Sequence, residues 1–235
     1  MLTMRETMGN GTGQVRAGEF LKKLSPSALR DLESMEFPTL YQPGVLLFSE
    51  KAMAQGIFIV VSGEVKLSIN SSDGKRLILS IAKAGEILGL PSALSGLPSE
   101  MTAEVLYPSR IAVIERSSFL SFLSRHPEAY QTVTEELSLQ YKTACEQLRT
   151  VGLSASAPEK LARLLLEWSD EGQKSDSGSR CRFSLTHEEI GEFIGTSRET
   201  VTRTLTAFKN RRLVSFHGST VTIPSRMALQ SLAGI

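Results

Sequence analysis

The spacing of the hydrophobic residues changes once along this chain, near Pro127. It is typical of β-strands before this residue and of α-helices after it. Between residues 41 and 119, apolar side chains alternate with polar ones in short runs that turn residues separate. Many short alternating runs with regular turns predict an antiparallel β sandwich or barrel. The clearest predicted hairpin joins residues 65–69 to residues 76–81.

After Pro127, seven side chains recur at intervals of alternately four and three residues, which is a heptad stripe along one long helix. Because a single long stripe of this kind pairs readily with its own copy, we predict a homodimer seam. The alternative is a helix that lies on its own domain. The predicted seam residues are Tyr130, Thr134, Leu137, Tyr141, Ala144, Leu148 and Val151.

The segment 184–212 reads SLTHEEIGEFIGTSRETVTRTLTAFKNRR and begins with a helix signal. Thr186 is followed three residues later by Glu189, which is the pattern of a capping box. It predicts a short helix from about His187 to Ile194. Gly195 then ends this helix, because glycine readily takes the left-handed conformation of a tight turn.

A second helix follows the tight turn, with Ser197 as its N-cap and a predicted range of 198–209. Its apolar stripe of Val201, Leu205 and Phe208 is expected to face the core. Arginine can bind guanine through two hydrogen bonds, and glutamate can accept one from cytosine. The predicted base-reading residues on the outer side are Arg198, Glu199, Thr202 and Arg203.

Basic residues surround this helix pair, although the whole chain carries a formal net charge of only +1. Residues 180–212 hold seven basic and four acidic side chains, so any nucleic-acid surface is local. Residues 213–223 predict a small β-wing. The predicted phosphate-contacting residues are Thr186, His187, Ser197, Lys209, Arg211 and Arg212.

The sequence GEFIGTSRETVTRTL, followed by a wing, resembles the DNA-binding motif of the cyclic AMP receptor protein and fumarate–nitrate reduction regulator superfamily. The segments FIVVSGEVKLSI and GKRLILSIAKAGEILG extend the resemblance, which covers about residues 20–223. It implies an α+β protein in three parts. These are an N-terminal antiparallel β-roll like a cyclic-nucleotide-binding domain (a double-stranded β-helix), a long dimerisation helix and a C-terminal winged helix-turn-helix.

The expected boundaries follow from the resemblance and from the change of period. We predict a flexible tail over 1–18, a β-roll sensor domain over 19–127, a dimerisation helix over 128–153 and a DNA-binding domain over 154–235. The resemblance also implies a homodimeric transcription regulator that binds double-stranded DNA and contacts RNA polymerase. Arg198, Glu199 and Arg203 match the motif that reads a palindromic operator of TGTGA type.

The effector pocket departs from the nucleotide-binding pattern of the family. Gly89-Leu90 stands where a Gly-Glu pair is expected, and Ser99-Glu100-Met101 falls where an Arg-Ser pair is expected. Leucine offers no acceptor for a ribose hydroxyl, and glutamate repels a phosphate. Two further positions that the resemblance places at the base are occupied by Ala144 and Cys145.

From these departures we predict either an effector other than a cyclic nucleotide or no effector at all. We also predict no cofactor. A cyclic-nucleotide-responsive regulator and a ligand-sensing module without DNA binding remain the alternatives. Cys145 could act as a redox thiol or simply as a small packed residue.

Several other classes are excluded by composition. The chain has 235 residues and only two cysteines, so neither a disulfide framework nor a four-cysteine metal cluster fits within one chain. Residues 41–119 contain no histidine or cysteine, and no catalytic motif stands out, so we expect neither a metal site nor an enzyme on a cupin-like barrel. No apolar run is long enough for a membrane span or a secretory signal. We therefore expect a cytoplasmic protein.

Overall fold

The computed structural model describes residues 19–35, 38–53, 55–153, 156–171, 173–175, 178–182, 185–218 and 220–234. The predicted tail over 1–18 lies outside these residues. The helices are α1 (Glu19–Lys23), α2 (Pro26–Met35), α3 (Leu90–Ser95), α4 (Arg116–Arg125), α5 (Ala129–Leu153), α6 (Ala157–Glu171), α7 (His187–Ile194), α8 (Arg198–Asn210) and α9 (Arg226–Ala233). The strands are β1 (Thr39–Tyr41), β2 (Leu46–Phe48), β3 (Gly56–Ser62), β4 (Glu64–Asn70), β5 (Arg76–Lys83), β6 (Ile87–Leu88), β7 (Thr102–Val105), β8 (Ser109–Glu115), β9 (Gln173–Ser175), β10 (Gly178–Arg182), β11 (Ser215–His217) and β12 (Thr220–Ile223).

Two four-stranded antiparallel sheets form the β-roll, in the strand orders β1-β8-β3-β6 and β2-β7-β4-β5. The first five residues of β3 are all buried, because this strand lies inside its sheet between β8 and β6. The predicted hairpin is formed by β4 and β5, with Ile69 opposite Leu77. The predicted antiparallel β-roll and the α+β class are therefore confirmed.

Two helices fall inside or at the end of the region 41–119, for which the sequence predicts an antiparallel β sandwich or barrel of short strands. Helix α3 begins after Gly89, whose φ of 81° takes the chain out of the extended conformation. Helix α4 buries Phe119, Phe122 and Leu123, which are spaced as on one face of a helix. The period-two interpretation was wrong here because short apolar runs fit both kinds of element.

The long helix is confirmed as α5, and the predicted tight turn lies between α7 and α8. The polar residues of 169–179 predict a loop, but α6 continues through Glu171, and β9 and β10 follow. In β10, Ser179 and Cys181 are buried and Arg180 is exposed. This alternation was overlooked because its inward side chains are small and only weakly apolar.

The C-terminal unit is a winged helix in which helices pack on the sheet β11-β12-β10-β9. Strands β11 and β12 form the predicted wing, and Phe216 lies opposite Val221. Helix α9 closes the unit through buried Leu229 and Ala233. The wing residue Ser219 lies outside the described residues.

The β-roll and the winged helix share one hydrophobic cluster. Ile78 of β5 is fully buried within the same cluster as Leu164, Phe193 and Leu205 of the C-terminal unit. Ile81, on the same strand, packs against that cluster. The β4–β5 hairpin therefore contributes directly to the core around α7.

Candidate DNA-binding site and effector cavity

The first helix of the DNA-binding motif starts at the predicted capping box. The Thr186 hydroxyl accepts a hydrogen bond from the Glu189 backbone N–H at 3.2 Å, and the Thr186 backbone N–H donates to the Glu189 carboxylate at 2.9 Å. Ile190, Phe193 and Ile194 bury the inner face of α7. The Thr186 hydroxyl therefore fixes the start of the helix.

The turn between α7 and α8 depends on two glycines. Gly195 has a φ of 66°, as predicted for the residue that ends α7. A Cβ added at Gly191 would lie only 2.6 Å from the Thr196 carbonyl oxygen, whose residue also donates its backbone N–H to the Gly191 carbonyl at 2.9 Å. Gly191 was not singled out from the sequence, because this requirement comes from the close approach of two segments rather than from the conformation of glycine itself.

Helix α8 has a buried side and a polar outer side. Its buried residues are Val201, Thr204, Leu205 and Phe208, of which Thr204 was not predicted. Ser197 caps it by accepting from the Thr200 backbone N–H at 3.3 Å. The side chains predicted to read bases are all exposed, namely Arg198, Glu199, Thr202 and Arg203.

Hydrogen bonds at the N-terminus of α8 favour the ionised form of the Glu199 carboxylate. The backbone N–H of Glu199 and the hydroxyl of Ser197 hydrogen-bond to this carboxylate and lower the pKa of Glu199. An ionised carboxylate only accepts hydrogen bonds, which matches the amino group of cytosine. Glu199 is therefore a charged hydrogen-bond acceptor, and it lies between the exposed Arg198 and Arg203 in the sequence of α8.

Two residues with different predicted roles are joined to each other. The Thr202 hydroxyl donates to the Arg198 backbone carbonyl at 2.9 Å, and His187 Nδ1 lies 2.9 Å from the same hydroxyl oxygen. Because the hydroxyl proton is used by the carbonyl, Nδ1 is the donor in this pair. His187 therefore connects α7 to the outer side of α8.

The end of α8 places an arginine where glycine is common. Arg212 has a φ of 56°, its N–H donates to the Lys209 carbonyl at 3.0 Å, and the Leu213 N–H donates to the Phe208 carbonyl at 2.9 Å. These two bonds define a Schellman motif, whose left-handed residue is usually glycine. Arg212 and Arg211 are exposed, as is Lys209.

A buried lysine joins the β-roll to the DNA-binding motif. Lys66 is 3% exposed, and its Nζ lies 3.1 Å from Glu189 Oε1 and 3.4 Å from Glu104 Oε1. Burial raises the pKa of Glu189, but hydrogen bonds from Thr186 and Lys66 outweigh this and lower it overall. The capping box of α7 is thus also an ion-pair partner of strand β4.

Gln147 of the long helix makes a second connection. Its side-chain amide donates to the Ile78 carbonyl at 2.8 Å and to the Phe193 carbonyl at 2.6 Å, and the residue is 6% exposed. One side chain therefore holds strand β5 and helix α7 together. Neither Gln147 nor Lys66 was predicted as functional, because their partners are far away in the sequence.

The predicted seam divides into two rows along α5. Tyr130, Thr134, Tyr141 and Leu148 are exposed, whereas three seam residues are half-buried against their own chain, namely Leu137, Ala144 and Val151. Leu137 packs against the roll core. The exposed row is thus the part of the stripe that is free in the single chain.

A cavity of about 650 Å³ lies between the β-roll, α5 and the C-terminal unit. Five of the seven predicted pocket residues line it, namely Gly89, Ser99, Glu100, Met101 and Ala144. Leu90 does not, because it points into the roll core as the first residue of α3 and is fully buried. Cys145 does not line it either, because it follows Ala144 around the helix and hydrogen-bonds with Tyr141, whose pKa it raises.

The described residues contain no cluster of three or more histidine, cysteine, aspartate or glutamate side chains suited to a metal ion. Among the helices in the described ranges, none combines the length and apolar character that a membrane crossing requires.

The fold and the helix-turn-helix geometry define a class of protein: a transcription regulator that joins a roll like a cyclic-nucleotide-binding domain to a winged DNA-binding domain. Residues 38–126 match the family model of the cyclic nucleotide-binding domain, and residues 159–232 match that of the Crp-like helix-turn-helix domain. The chain belongs to the cyclic AMP receptor protein and fumarate–nitrate reduction regulator superfamily, as its sequence predicts.

Named relatives and solved structures agree with this assignment. The CRP-like cAMP-activated global transcriptional regulator of Mycobacterium tuberculosis is 26% identical over 209 residues, which are 88% of this chain and 92% of that protein. The transcriptional activatory protein AadR of Rhodopseudomonas palustris is 25% identical over 201 residues, covering 85% of this chain and 82% of that protein. The structure of FixK2 from Bradyrhizobium japonicum shares the fold with a TM-score of 0.75 at 22% identity, covering 84% of this chain and 96% of that one.

Proposed function

We propose that this regulator acts as a homodimer that binds a palindromic operator of TGTGA type through α8. The observation that carries the proposal is the outward placement of Arg198, Glu199 and Arg203 on a helix that is capped at its start and follows a tight turn. The two arginines offer paired donors to guanine, and the carboxylate offers an acceptor to cytosine. Thr202 contributes from the same side of the helix.

The exposed row on α5 supports the dimer. Tyr141 is 73% exposed and Leu148 is 65% exposed, which leaves large apolar side chains for a second copy to cover. A two-fold dimer presents two copies of α8 to two half-sites, so the operator is expected to be palindromic. RNA polymerase is the further partner that the superfamily resemblance implies.

Phosphate contacts are proposed at both ends of the motif. Lys209, Arg211 and Arg212 supply cations at the end of α8. Near the helix starts, the contacts come from Thr186, His187 and Ser197, where backbone N–H groups also favour anions.

A gel shift with a TGTGA palindrome and a scrambled duplex of equal length tests the proposal. We expect binding to the palindrome to be tighter, and the difference to persist as salt is raised. Equal affinity for the two duplexes would contradict sequence-specific binding. No binding to either duplex would instead support the alternative of a sensing module without DNA binding.

Two arginine variants separate base reading from phosphate contact. Arg198→Ala is expected to cost about 1–3 kcal/mol of discrimination at one base pair. Arg212→Ala is expected to weaken binding to all sequences and to reduce the salt dependence. Arg110→Ala, at an exposed residue of the β-roll, is the matched control and should change neither.

The effector is proposed to be something other than a cyclic nucleotide. Glu100 and Met101 line the cavity where the family pattern has an arginine–serine pair, so the cyclic phosphate has no arginine partner there. A cyclic-nucleotide-responsive regulator is the second candidate, favoured by the domain match and by the cAMP-activated relative. Calorimetry with cyclic AMP and cyclic GMP decides between them, because micromolar binding would overturn the first candidate.

A further inference from the structure

The cavity is shared by three parts of the molecule. Leu79 and Ile81 of the β4–β5 hairpin, Ala144 of α5, and Trp168 and Phe193 of the winged unit all line it. A ligand that fills it would therefore touch the DNA-binding unit directly as well as the roll. Its size of about 650 Å³ is that of a small-molecule site.

The charges around the cavity are strongly unbalanced. Among the described lining residues there is one lysine, Lys83, against six glutamates: Glu64, Glu86, Glu100, Glu136, Glu146 and Glu167. Carboxylates along the wall of a cleft attract cations and repel anions, and the low dielectric of the cleft strengthens both effects. The electrostatics of the cavity therefore favour a cationic ligand over an anionic one.

One of these glutamates has an oxygen without a partner. Oε2 of Glu64 is buried and has no hydrogen-bond partner in the described part of the chain. A buried carboxylate oxygen is destabilising unless a donor reaches it. A ligand ammonium group in the cavity would supply such a donor.

The remaining wall is mainly apolar. Leu67, Leu88 and Met101 continue the apolar surface that Leu79, Ile81 and Phe193 begin. Burial of hydrocarbon against such a surface is favourable. We propose that the cavity binds an apolar amine, with its ammonium group at Glu64 and its hydrocarbon part against this wall; its role as effector rests on the proposed function.

Trp168 is the only tryptophan of the chain and lines the cavity, so its fluorescence reports on binding. The full chain is titrated at pH 7 with octylamine, octanol and octanoate, which share one alkyl chain and differ in charge. We expect saturable binding of octylamine about tenfold tighter than that of octanoate, with octanol between them. Equal or tighter binding of octanoate, or no saturable response to octylamine, would overturn the inference.

Glu64→Gln keeps the shape of the side chain and removes its charge. We expect it to weaken octylamine binding about fivefold or more and to leave octanol binding unchanged. The control Glu115→Gln, at an exposed residue at the end of β8, should bind octylamine like the parent chain. An unchanged octylamine affinity in Glu64→Gln would mean non-specific partition of the alkyl chain and would overturn the site.

Glu100→Gln, at an exposed lining residue, provides a second test if Glu64→Gln does not fold. It should reduce the preference for octylamine over octanoate, and an unchanged preference would contradict the electrostatic argument. The gel shift is then repeated with and without octylamine. Octylamine binding without any DNA binding would reject the proposed function alone, whereas DNA binding without octylamine binding would reject this inference alone.

Discussion

Arg212 is a strained residue in the DNA-binding motif. A left-handed conformation costs a non-glycine residue about 1–2 kcal/mol, and here the Schellman motif at the end of α8 imposes it. A strained residue that persists indicates a role which glycine could not fill. In the proposed function this role is a phosphate contact, which the Arg212 guanidinium group makes at the end of α8.

Arg212→Gly is therefore expected to stabilise the chain and to weaken DNA binding. The gain is about 0.5–1 kcal/mol, or about 1–4 °C in the melting temperature for a chain of this size. Calorimetry and a gel shift measure the two effects. Arg212→Ala is the control, since it should lose DNA affinity without the gain in stability; a lower melting temperature for Arg212→Gly would contradict the argument.

Glu192 illustrates the opposite electrostatic situation. Its Oε2 is buried without a hydrogen-bond partner in the described residues, and burial raises its pKa, although Arg76 and Lys66 counteract the shift. A raised pKa in the folded state means that stability is lost as the pH rises from about 4.5 through the shifted value. Ionised Glu192 is therefore destabilising at neutral pH.

Glu192→Gln is expected to raise the free energy of unfolding at pH 7.5 by about 0.5 kcal/mol, after allowance for solvent screening. The gain should disappear as the pH falls towards 4.5, because the parent carboxyl is then protonated. Urea unfolding at the two pH values measures this. Glu33→Gln, at an exposed position of α2, should give no gain, and a gain for Glu192→Gln at both pH values alike would refute the electrostatic cause.

At the scale of elements, α5 contacts both the β-roll and the DNA-binding unit through the Gln147 side-chain amide. Gln147 supplies hydrogen bonds to two buried carbonyl groups, one on β5 and one on α7. Without them, each carbonyl would lose a donor, and a buried acceptor left unsatisfied costs about 1–3 kcal/mol. Gln147 therefore adds a polar connection to the hydrophobic contact between β5 and α7.

Gln147→Met keeps the volume of the side chain and removes both donors. We expect a loss of about 2–4 kcal/mol in the free energy of unfolding, measured by urea titration with Trp168 fluorescence and circular dichroism. Gln131→Met, at an exposed position of the same helix, should cost much less. Equal losses in the two variants would show that the bonds to Ile78 and Phe193 are not responsible.

The elements also show what a sequence can and cannot predict. The caps at Thr186 and Ser197 were predicted because each involves residues only three positions apart. The Lys66–Glu189 pair spans 123 positions, so no local pattern indicates it. Leu90 was wrongly predicted to line the effector pocket for a related reason. Its side-chain direction depends on the start of α3, which the sequence analysis did not predict.

At the scale of the whole molecule, the exposed row on α5 is expected to set the oligomeric state. Leu148→Glu places a charge among apolar residues of the proposed seam, so the dimer should dissociate at a concentration at least about tenfold higher than in the parent chain. Sedimentation at several concentrations measures this. Leu46→Glu, at an apolar residue of the roll that is 52% exposed, is the control; an undisturbed dimer in Leu148→Glu would place the interface elsewhere.

The shared hydrophobic cluster limits how this protein can be recombined with others. A fragment that starts near α6 would expose the apolar surface that Ile78 and Ile81 now cover, and such fragments tend to aggregate. A hybrid regulator that takes its DNA specificity from this chain therefore has to inherit the β4–β5 hairpin as well. The boundary at which such a hybrid can be joined therefore lies within the β-roll, and not in the linker after α5.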